Sequence, residues 1–503
     1  MMDIINNLVM GFGVAATPMN VFYAFVGALV GTLIGVLPGI GPVPTIAMLL
    51  PLTYGLPTVT ALIMLAGIYY GASYGGSTTA ILVNLPGEMS SVITVLDGHK
   101  MARQGRAGAA LCVAAIGSFF AGCVATMVIA AFAPVLSEVA LKFDAAEYFS
   151  LMVLGLISAI VLAHGSVLKA LLMTLLGLLF GIVGTDVTTG VARFSFNIPE
   201  LVDGIGFVAM TMGLFAFAEI TTNLERTSGQ RELLAEPIKR IWLTWQEFKQ
   251  SALPILRGTF LGSLLGILPG GGATLSSFAS YTVEKKIADD PSRFGNGAIE
   301  GVAGPEAANN AGAQTSFIPM LTLGIPSNAV MALMAGALIM HDIQPGPEIM
   351  TQTPELFWGL IASMWIGNAM LIVLNLPLIG LWIRLLNIPY RLLFPMIILC
   401  CTIGAFSSNN NMFDVWVAIV FGFLGYIFAK LECEPAPLLL GYILGPMLEE
   451  NLRRALILSR GEYTVFVTRP ISLVMLLLAV GLLILVILPA VSKKREVVFQ
   501  EEE

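Results

Sequence analysis

The stretch GALVGTLIGVLPGIG at residues 27–41 returns 231 positions later as GTFLGSLLGILPGGG at residues 258–272. Eight of the fifteen positions are identical, and most others exchange Thr for Ser or one aliphatic residue for another. Both copies place glycine at every fourth position: Gly27, Gly31, Gly35 and Gly39, then Gly258, Gly262, Gly266 and Gly270. In an apolar helix this spacing makes a smooth ridge against which a second helix packs closely. Each ridge then meets a helix breaker, Leu37-Pro38-Gly39-Ile40-Gly41 and Leu268-Pro269-Gly270-Gly271-Gly272. Proline removes a backbone donor and glycine resists the helical conformation. A short apolar segment resumes after each, so residues 27–50 and 258–283 read as helical hairpins dipping into a bilayer. The offset is nearly half the chain, which divides into homologous halves, 1–250 and 251–503.

Composition sets the medium. Of 503 residues, 57% are hydrophobic and 11% charged, with a mean hydropathy of +0.87. Soluble globular chains carry about 25% charged residues, so this deficit excludes a soluble enzyme and a disordered protein. Lys and Arg total 25 against 32 Asp and Glu, which leaves no basic surplus for nucleic-acid phosphates. Five cysteines (Cys112, Cys123, Cys400, Cys401, Cys433) lack metal-ligand spacing and form no evident disulfide framework. The start, Met1 to Asn7, lacks a basic signal region and reads as retained. Apolar segments near 21–37, 58–85, 108–134, 146–163, 167–184, 205–222, 252–268, 312–340, 356–382, 391–407, 412–430 and 470–490 predict ten to twelve crossings, given about 20 apolar residues per crossing. They are apolar on every face, whereas barrel strands alternate. The predicted fold class is an all-α polytopic membrane protein.

Each half carries a second expected interruption. In the first, a broken helix over 58–87 contains Tyr69-Tyr70-Gly71-Ala72-Ser73-Tyr74-Gly75-Gly76-Ser77-Thr78-Thr79 and ends at Leu85-Pro86-Gly87-Glu88. In the second, a broken helix over 305–340 opens with Pro305-Glu306-Ala307-Ala308-Asn309-Asn310-Ala311-Gly312 and passes Gly324-Ile325-Pro326-Ser327-Asn328. Loop charge relates the halves, because Lys and Arg mark short cytoplasmic loops. In the first half the loop between the interruptions (51–58) has neither, and the following loop holds Lys100, Arg103 and Arg106. In the second half the order reverses: Lys285, Lys286 and Arg293 lie between them, and 341–356 has none. Residues 224–257 and Lys493, Lys494 and Arg495 also read as cytoplasmic, and 185–204 as external. Two inverted-topology repeats are the pattern of secondary transporters, with substrate at the repeat interface near the midplane.

Unwound backbone at membrane depth is tolerated only where protein or a water-filled cavity meets it. The interruptions are therefore expected to converge on a polar site. Half-helix N-termini suit carboxylates, and carbonyl and hydroxyl oxygens suit Na⁺. The candidate substrate-binding residues are Pro38, Gly39, Gly41, Ser73, Gly75, Gly76, Ser77 and Thr78 in the first half. Their second-half counterparts are Pro269, Gly270, Gly272, Asn309, Asn310, Pro326, Ser327 and Asn328. Gly39, Thr79, Gly270 and Asn310 are the candidates for the coupling ion. No Lys or Arg lies in these motifs, so an anion would be met by backbone dipoles and co-bound cations; a neutral substrate fits the same residues. The plainer alternative for each hydroxyl is a bond to its own helix backbone. Glu306 has two readings, a functional buried carboxylate or an acid in a cytoplasmic first turn behind Pro305. Glu88 reads as interfacial. Glu449/Arg453 and Glu450/Arg454 at i, i+4 predict a solvated interfacial helix over 448–460, a candidate subunit contact.

Gly71-Ala72-Ser73-Tyr74-Gly75 matches the G-x-S-x-G elbow of hydrolases, which needs a strand before it and a helix after it. An intramembrane serine hydrolase would need a histidine partner. The chain has only His99, His164 and His341, the first in a predicted loop and the others near helix ends. No H-E-x-x-H occurs, and no Walker A motif, so neither metalloprotease chemistry nor ATP hydrolysis is expected. The chain reads as a non-enzyme with no cofactor and no metal beyond Na⁺.

Taken together, G-x-L-P-G-x-G-P at 35–42, Y-G-G-S at 74–77, L-D-G-H-K-M-A-R-Q-G-R-A-G at 96–108, G-P-E-A-A-N-N at 304–310, L-T-L-G-I-P-S at 321–327, Q-P-G-P at 344–347 and G-P-M-L-E-E-N-L-R-R-A-L at 445–456 are a specific set. Through them almost the whole chain resembles the large membrane subunit of the tripartite tricarboxylate transporter family. The resemblance implies a multi-pass bacterial inner-membrane subunit that works with a small membrane subunit and a periplasmic solute-binding protein, with a dimer of the membrane complex as one arrangement. It implies import of citrate or a related di- or tricarboxylate, coupled to Na⁺ or H⁺. Neutral oxygens in the motifs favour Na⁺. The hairpins and broken helices would move as one unit, elevator-like or by rocking. A stand-alone carrier is the main rival; a channel would favour charged rings along its lining, and none are visible.

Overall fold

The computed structural model describes residues 2–37, 41–163, 166–186, 189–225, 240–268, 272–385 and 390–487. Its principal helices are α1 (Met2–Ala15), α2 (Pro18–Val36), α3 (Pro42–Leu49), α4 (Thr58–Val83), α5 (Ala107–Ala140), α6 (Ala145–Leu162), α7 (Val167–Gly181), α8 (Trp245–Gly266) and α9 (Gly272–Ile287). They continue with α10 (Glu300–Thr315), α11 (Phe317–Leu323), α12 (Ala329–Met340), α13 (Pro354–Asn375), α14 (Tyr390–Asn409), α15 (Met412–Lys430), α16 (Pro435–Leu458) and α17 (Pro470–Ile487). Among the described residues the only sheet is a ribbon pairing Gly184–Thr185 with Ala192–Arg193. Among the described residues, five helices (α2, α5, α6, α13 and α15) are long and apolar enough to cross a membrane. Shorter apolar helices such as α3, α7 and α12 supply half-length pieces. The all-α polytopic expectation holds.

The glycine ridges do what their spacing requires. A Cβ on Gly27, Gly31 or Gly35 of α2 would fall on the carbonyl oxygens of Met64, Ile68 and Ala72 of α4. A Cβ on Gly258, Gly262 or Gly266 of α8 would fall on those of Gly304, Ala308 and Gly312 of α10. Both numbers rise together in each set, so α2 runs parallel to α4 and α8 parallel to α10. Backbones at this separation gain dispersion and Cα–H···O contacts that bulkier residues forbid.

This packing corrects the expected break at Tyr69–Thr79. Residues 58–83 form one unbroken helix. A Cβ on Gly71 would lie 2.7 Å from Ala28 O, and one on Gly75 would meet Thr32 O. These glycines serve close approach to α2; they do not unwind α4. The break comes only at Asn84, which is left-handed at φ 61°, and at Pro86-Gly87. Pro305 likewise lies inside α10, which begins at Glu300, so the run 305–312 is helical. The second-half break sits at Gly324–Asn328. The expected interfacial helix over 448–460 also needs correction, being mostly the distal part of α16, a 24-residue helix whose inner half is buried against α7.

Two groups of charged loops bear on the arrangement. Asp97 accepts N–H bonds from Gly295 (2.9 Å), Gly297 (2.7 Å) and Ala298 (2.8 Å) and the Tyr281 hydroxyl (3.0 Å). Beside it, Arg106 donates to Gly297 O and pairs with Glu247, both at 3.3 Å. Three segments expected on the cytoplasmic side thus meet. The other group clasps the ribbon to α16: Arg453 pairs with Asp186 (2.8 Å) and Glu449 (2.6 Å), and Arg193 with Glu449 (2.9 Å) and Asp186. A part-exposed network of this kind is worth about 1 kcal/mol per pair at most and is screened by salt. Arg453→Ala is therefore expected to lower the melting temperature measurably at low salt and much less at high salt, read by thermal denaturation of the purified protein.

Candidate functional site

The two halves meet where α4 crosses α10. Ser77 donates to Glu306 Oε2 at 2.5 Å, while eight positions earlier Tyr69 packs on Phe317 with ring centroids 6.5 Å apart. One number falls as the other rises, so α4 and α10 run antiparallel here. Thr94, just after the first-half break, donates to Glu306 Oε1. Glu306 is completely buried, which disposes of the first-turn reading: α10 has already made more than a turn before it. Glu88, expected at the membrane surface, folds back over Gly76, where an added Cβ would lie 3.1 Å from its Cγ. Ser90 donates to the Glu88 carboxylate, and Ser73 and Asn309 lie beside it.

The second-half break is held open by side chains. Gly324 ends α11 in the left-handed region at φ 73°, and a Cβ there would lie 2.5 Å from Pro345 O, so Q-P-G-P braces the joint. Asn328 caps α12 by accepting from Met331 N (2.9 Å) and reaches the Tyr69 hydroxyl (3.4 Å). Ser327 donates to Ser316 O at 3.3 Å, and Pro326 is buried beside it. Gly272, at φ 51°, opens α9 against this joint, where a Cβ would sit 3.2 Å from Asn328 Nδ2.

The structure thus brings Ser73, Ser77, Gly76, Asn309, Asn310, Ser327, Asn328 and Gly272 around one crossing. Thr78 faces a small cavity with Tyr74, Ser77, Ser118 and Asn375. Gly41 has open space around it. Gly75 is committed to α2, and so is Thr79, whose hydroxyl donates to Val36 O at 2.7 Å and covers the end of α2. Pro38, Gly39, Pro269 and Gly270 lie outside the described residues. Ser73 donates to Tyr69 O at 3.3 Å within a continuous helix. No strand precedes it, so the hydrolase elbow is absent.

A polar stripe the sequence reading missed runs along α10. Glu306, Asn310 and Gln314 recur at every fourth position; the Glu306 carboxylate meets α4 and Thr94, and the other two face α5, where Asn310 donates to Ser118 Oγ (2.7 Å) and Gln314 accepts from Thr126 (2.9 Å). That spacing was the available signal. Asn310 Oδ1, Gln314 Nε2 and both amide atoms of Asn368 on α13 are buried without partners. Buried polar atoms left unbonded cost about 1–3 kcal/mol each, so this seam is the most polar part of the packing around α10. No group of three metal-ligating side chains occurs among the described residues.

The family described as tripartite tricarboxylate transporter TctA matches residues 21–440. The chain belongs to the TctA family. This TctA-family protein is also 58% identical, over all 503 residues of both chains, to a 52.8 kDa protein of Agrobacterium vitis described as uncharacterized, from the TAR-I ttuC' 3' region. A second A. vitis protein, from the TAR-II ttuC' 3' region and likewise described as uncharacterized, is 62% identical over 242 residues, covering 48% of this chain and all of its own. No solved structure matches it. As a TctA-family member the chain is a multi-pass membrane component of a transporter, and the family is not an enzyme family.

Proposed function

We propose that the chain is the large transmembrane subunit of a binding-protein-dependent secondary transporter. It imports citrate or another di- or tricarboxylate through the bacterial inner membrane, driven by Na⁺ or H⁺. Its partners are a small membrane subunit and a periplasmic solute-binding protein. The observation that carries this reading is the α4–α10 crossing, where helices flanking both breaks bury a polar cluster free of Lys and Arg. An organic anion moving into a negative-inside cell loses about 2.3 kcal/mol per charge per 100 mV, and a co-transported cation offsets that loss.

The antiparallel crossing and the two equivalent helix pairs support an inverted repeat, with hairpins and broken helices moving together. In a cysteine-free background, Arg103→Cys and Lys286→Cys are expected to react with an impermeant thiol reagent from the cytoplasmic side. Tyr54→Cys and Thr351→Cys, also at exposed positions, are expected to react from outside. Labelling of all four from one side rules out the inversion. The functional test is uptake of labelled carboxylate by reconstituted membrane subunits, with and without the binding protein, across imposed Na⁺ and pH gradients. Full uptake without the binding protein favours the stand-alone carrier.

A further inference from the structure

Two acids, buried Glu306 and half-buried Glu88, meet at the crossing with no counter-cation among the described residues. Glu306 takes hydroxyls on both oxygens, from Ser77 and Thr94. Glu88 lies across Gly76, among Ser90, Ser73 and Asn309, and Gly76 adjoins Ser77, the residue that donates to Glu306. Two groups beside them are buried and unbonded: the Tyr74 hydroxyl, and Asn309 at both amide atoms.

The charged groups on the neighbouring segments are engaged elsewhere. Asp97 is taken by three backbone N–H groups and Tyr281. His99 lies against Ile81 O at 3.1 Å. Glu284 of α9 is held in a fork by Arg257 of α8, at 2.8 and 2.6 Å. From α5 the group facing this part of α10 is Ser118, which does not titrate.

Two carboxylates set over neighbouring residues of α4, in a low dielectric and without a cation beside them, do not both stay ionised. A Na⁺ ion would need a full shell of oxygens around it, whereas the two side-chain oxygens bonded to Glu306 are hydroxyls that donate to it. A proton needs only the two hydroxyls already in place.

We propose that Glu306 is the proton-carrying residue of the transport cycle, with Glu88 as its like-charged neighbour. This rests on the transport reading above and names its coupling ion. Uptake of one proton converts the Glu306 carboxylate to the acid, whose O–H then donates to Ser77 or Thr94 oxygen. Release to water on the cytoplasmic side regenerates the carboxylate, so one positive charge moves inward in each cycle.

The first arm of the test needs no transport. Infrared difference spectra of the full-length chain in nanodiscs, taken through a pH titration, are expected to show a protonated-carboxyl stretch at neutral pH. That band should be missing from E306Q. In E88Q it should titrate at lower pH, because a neighbouring negative charge has gone. Circular dichroism and a monodisperse elution profile establish that both variants fold. A band unchanged in E306Q overturns the assignment.

In the second arm, proteoliposomes carrying the full membrane complex are given labelled citrate. The wild type is expected to accumulate it at least tenfold more under an inward proton gradient than without one, with acidification of the lumen. E306Q should lose both effects, and E306D should restore part of them. Accumulation driven by Na⁺ and indifferent to pH, or E306Q behaving as wild type, overturns the proposal. A wild type that moves no carboxylate at all counts against the transport reading instead, and the infrared arm still decides whether Glu306 holds the proton.

Discussion

Gly262→Leu should leave no folded protein to purify. Gly262 lies mid-ridge on α8, and an added Cβ would lie 2.3 Å from the carbonyl oxygen of Ala308. The obstacle is backbone, so no rotamer change relieves it; α8 and α10 must separate. Overpacking a well-fitted interface costs about 1–3 kcal/mol and occasionally more, and here separation also withdraws the contacts of Gly258 and Gly266 with α10. Gly31→Leu in α2 should behave alike against Ile68 O. Gly13→Ala, with nothing within 4 Å of the added carbon, is the control. Fluorescence-detected size exclusion after expression is the measurement. A monodisperse Gly262→Leu peak at the wild-type melting temperature would contradict the parallel ridge packing.

Asp97→Ala should be nearly as damaging through a different mechanism. One carboxylate oxygen satisfies three backbone N–H groups of residues 295–298, which form the approach to α10, and the other takes Tyr281. Hydrogen bonds to charged groups are worth about 1.5–3 kcal/mol each, and truncation leaves all three donors without their acceptor. A loss of about 3 kcal/mol or more is expected, seen as a large fall in melting temperature. Asp97→Asn keeps an oxygen for the three N–H groups and should recover much of that loss. Equal damage from Ala and Asn would mean that the negative charge, and not the acceptor geometry, is what the loop requires.

Much of the architecture was readable in the letters, and the failures have a common cause. The fourth-residue glycines, the charged loops and the breaks at Pro86-Gly87 and Gly324–Asn328 are local signals that depend little on a distant partner. Tyr69–Thr79 misled because glycine both weakens a helix and admits a neighbour. Which role applies is decided by Ala28 and Thr32, some forty residues away. Glu306 was noticed but not placed, since its hydroxyl donors lie 229 and 212 residues earlier. Asp97 was passed over for the same reason. The span of α16 was hidden by Glu449, Glu450, Arg453 and Arg454, charges that turn out to pack against Asp186 and Arg193 in part. Repetition and breakage are visible in one dimension, whereas the pairing of a buried acid with hydroxyls from the other half is not.

The parallel clamps of α2 on α4 and of α8 on α10 constrain how the molecule deforms. Each pair is locked rung by rung along its length, and Thr79 pins the tip of the first, so shearing within a pair would drive carbonyls through glycine faces. Each pair is therefore a stiff beam, and flexure is relegated to its ends, at Leu37, Asn84, Leu268 and Gly324. Between the beams, among the described residues, stand a few hydroxyls and amides, two carboxylates and an aromatic contact, a sparse bearing surface on which one beam can turn without either being rebuilt.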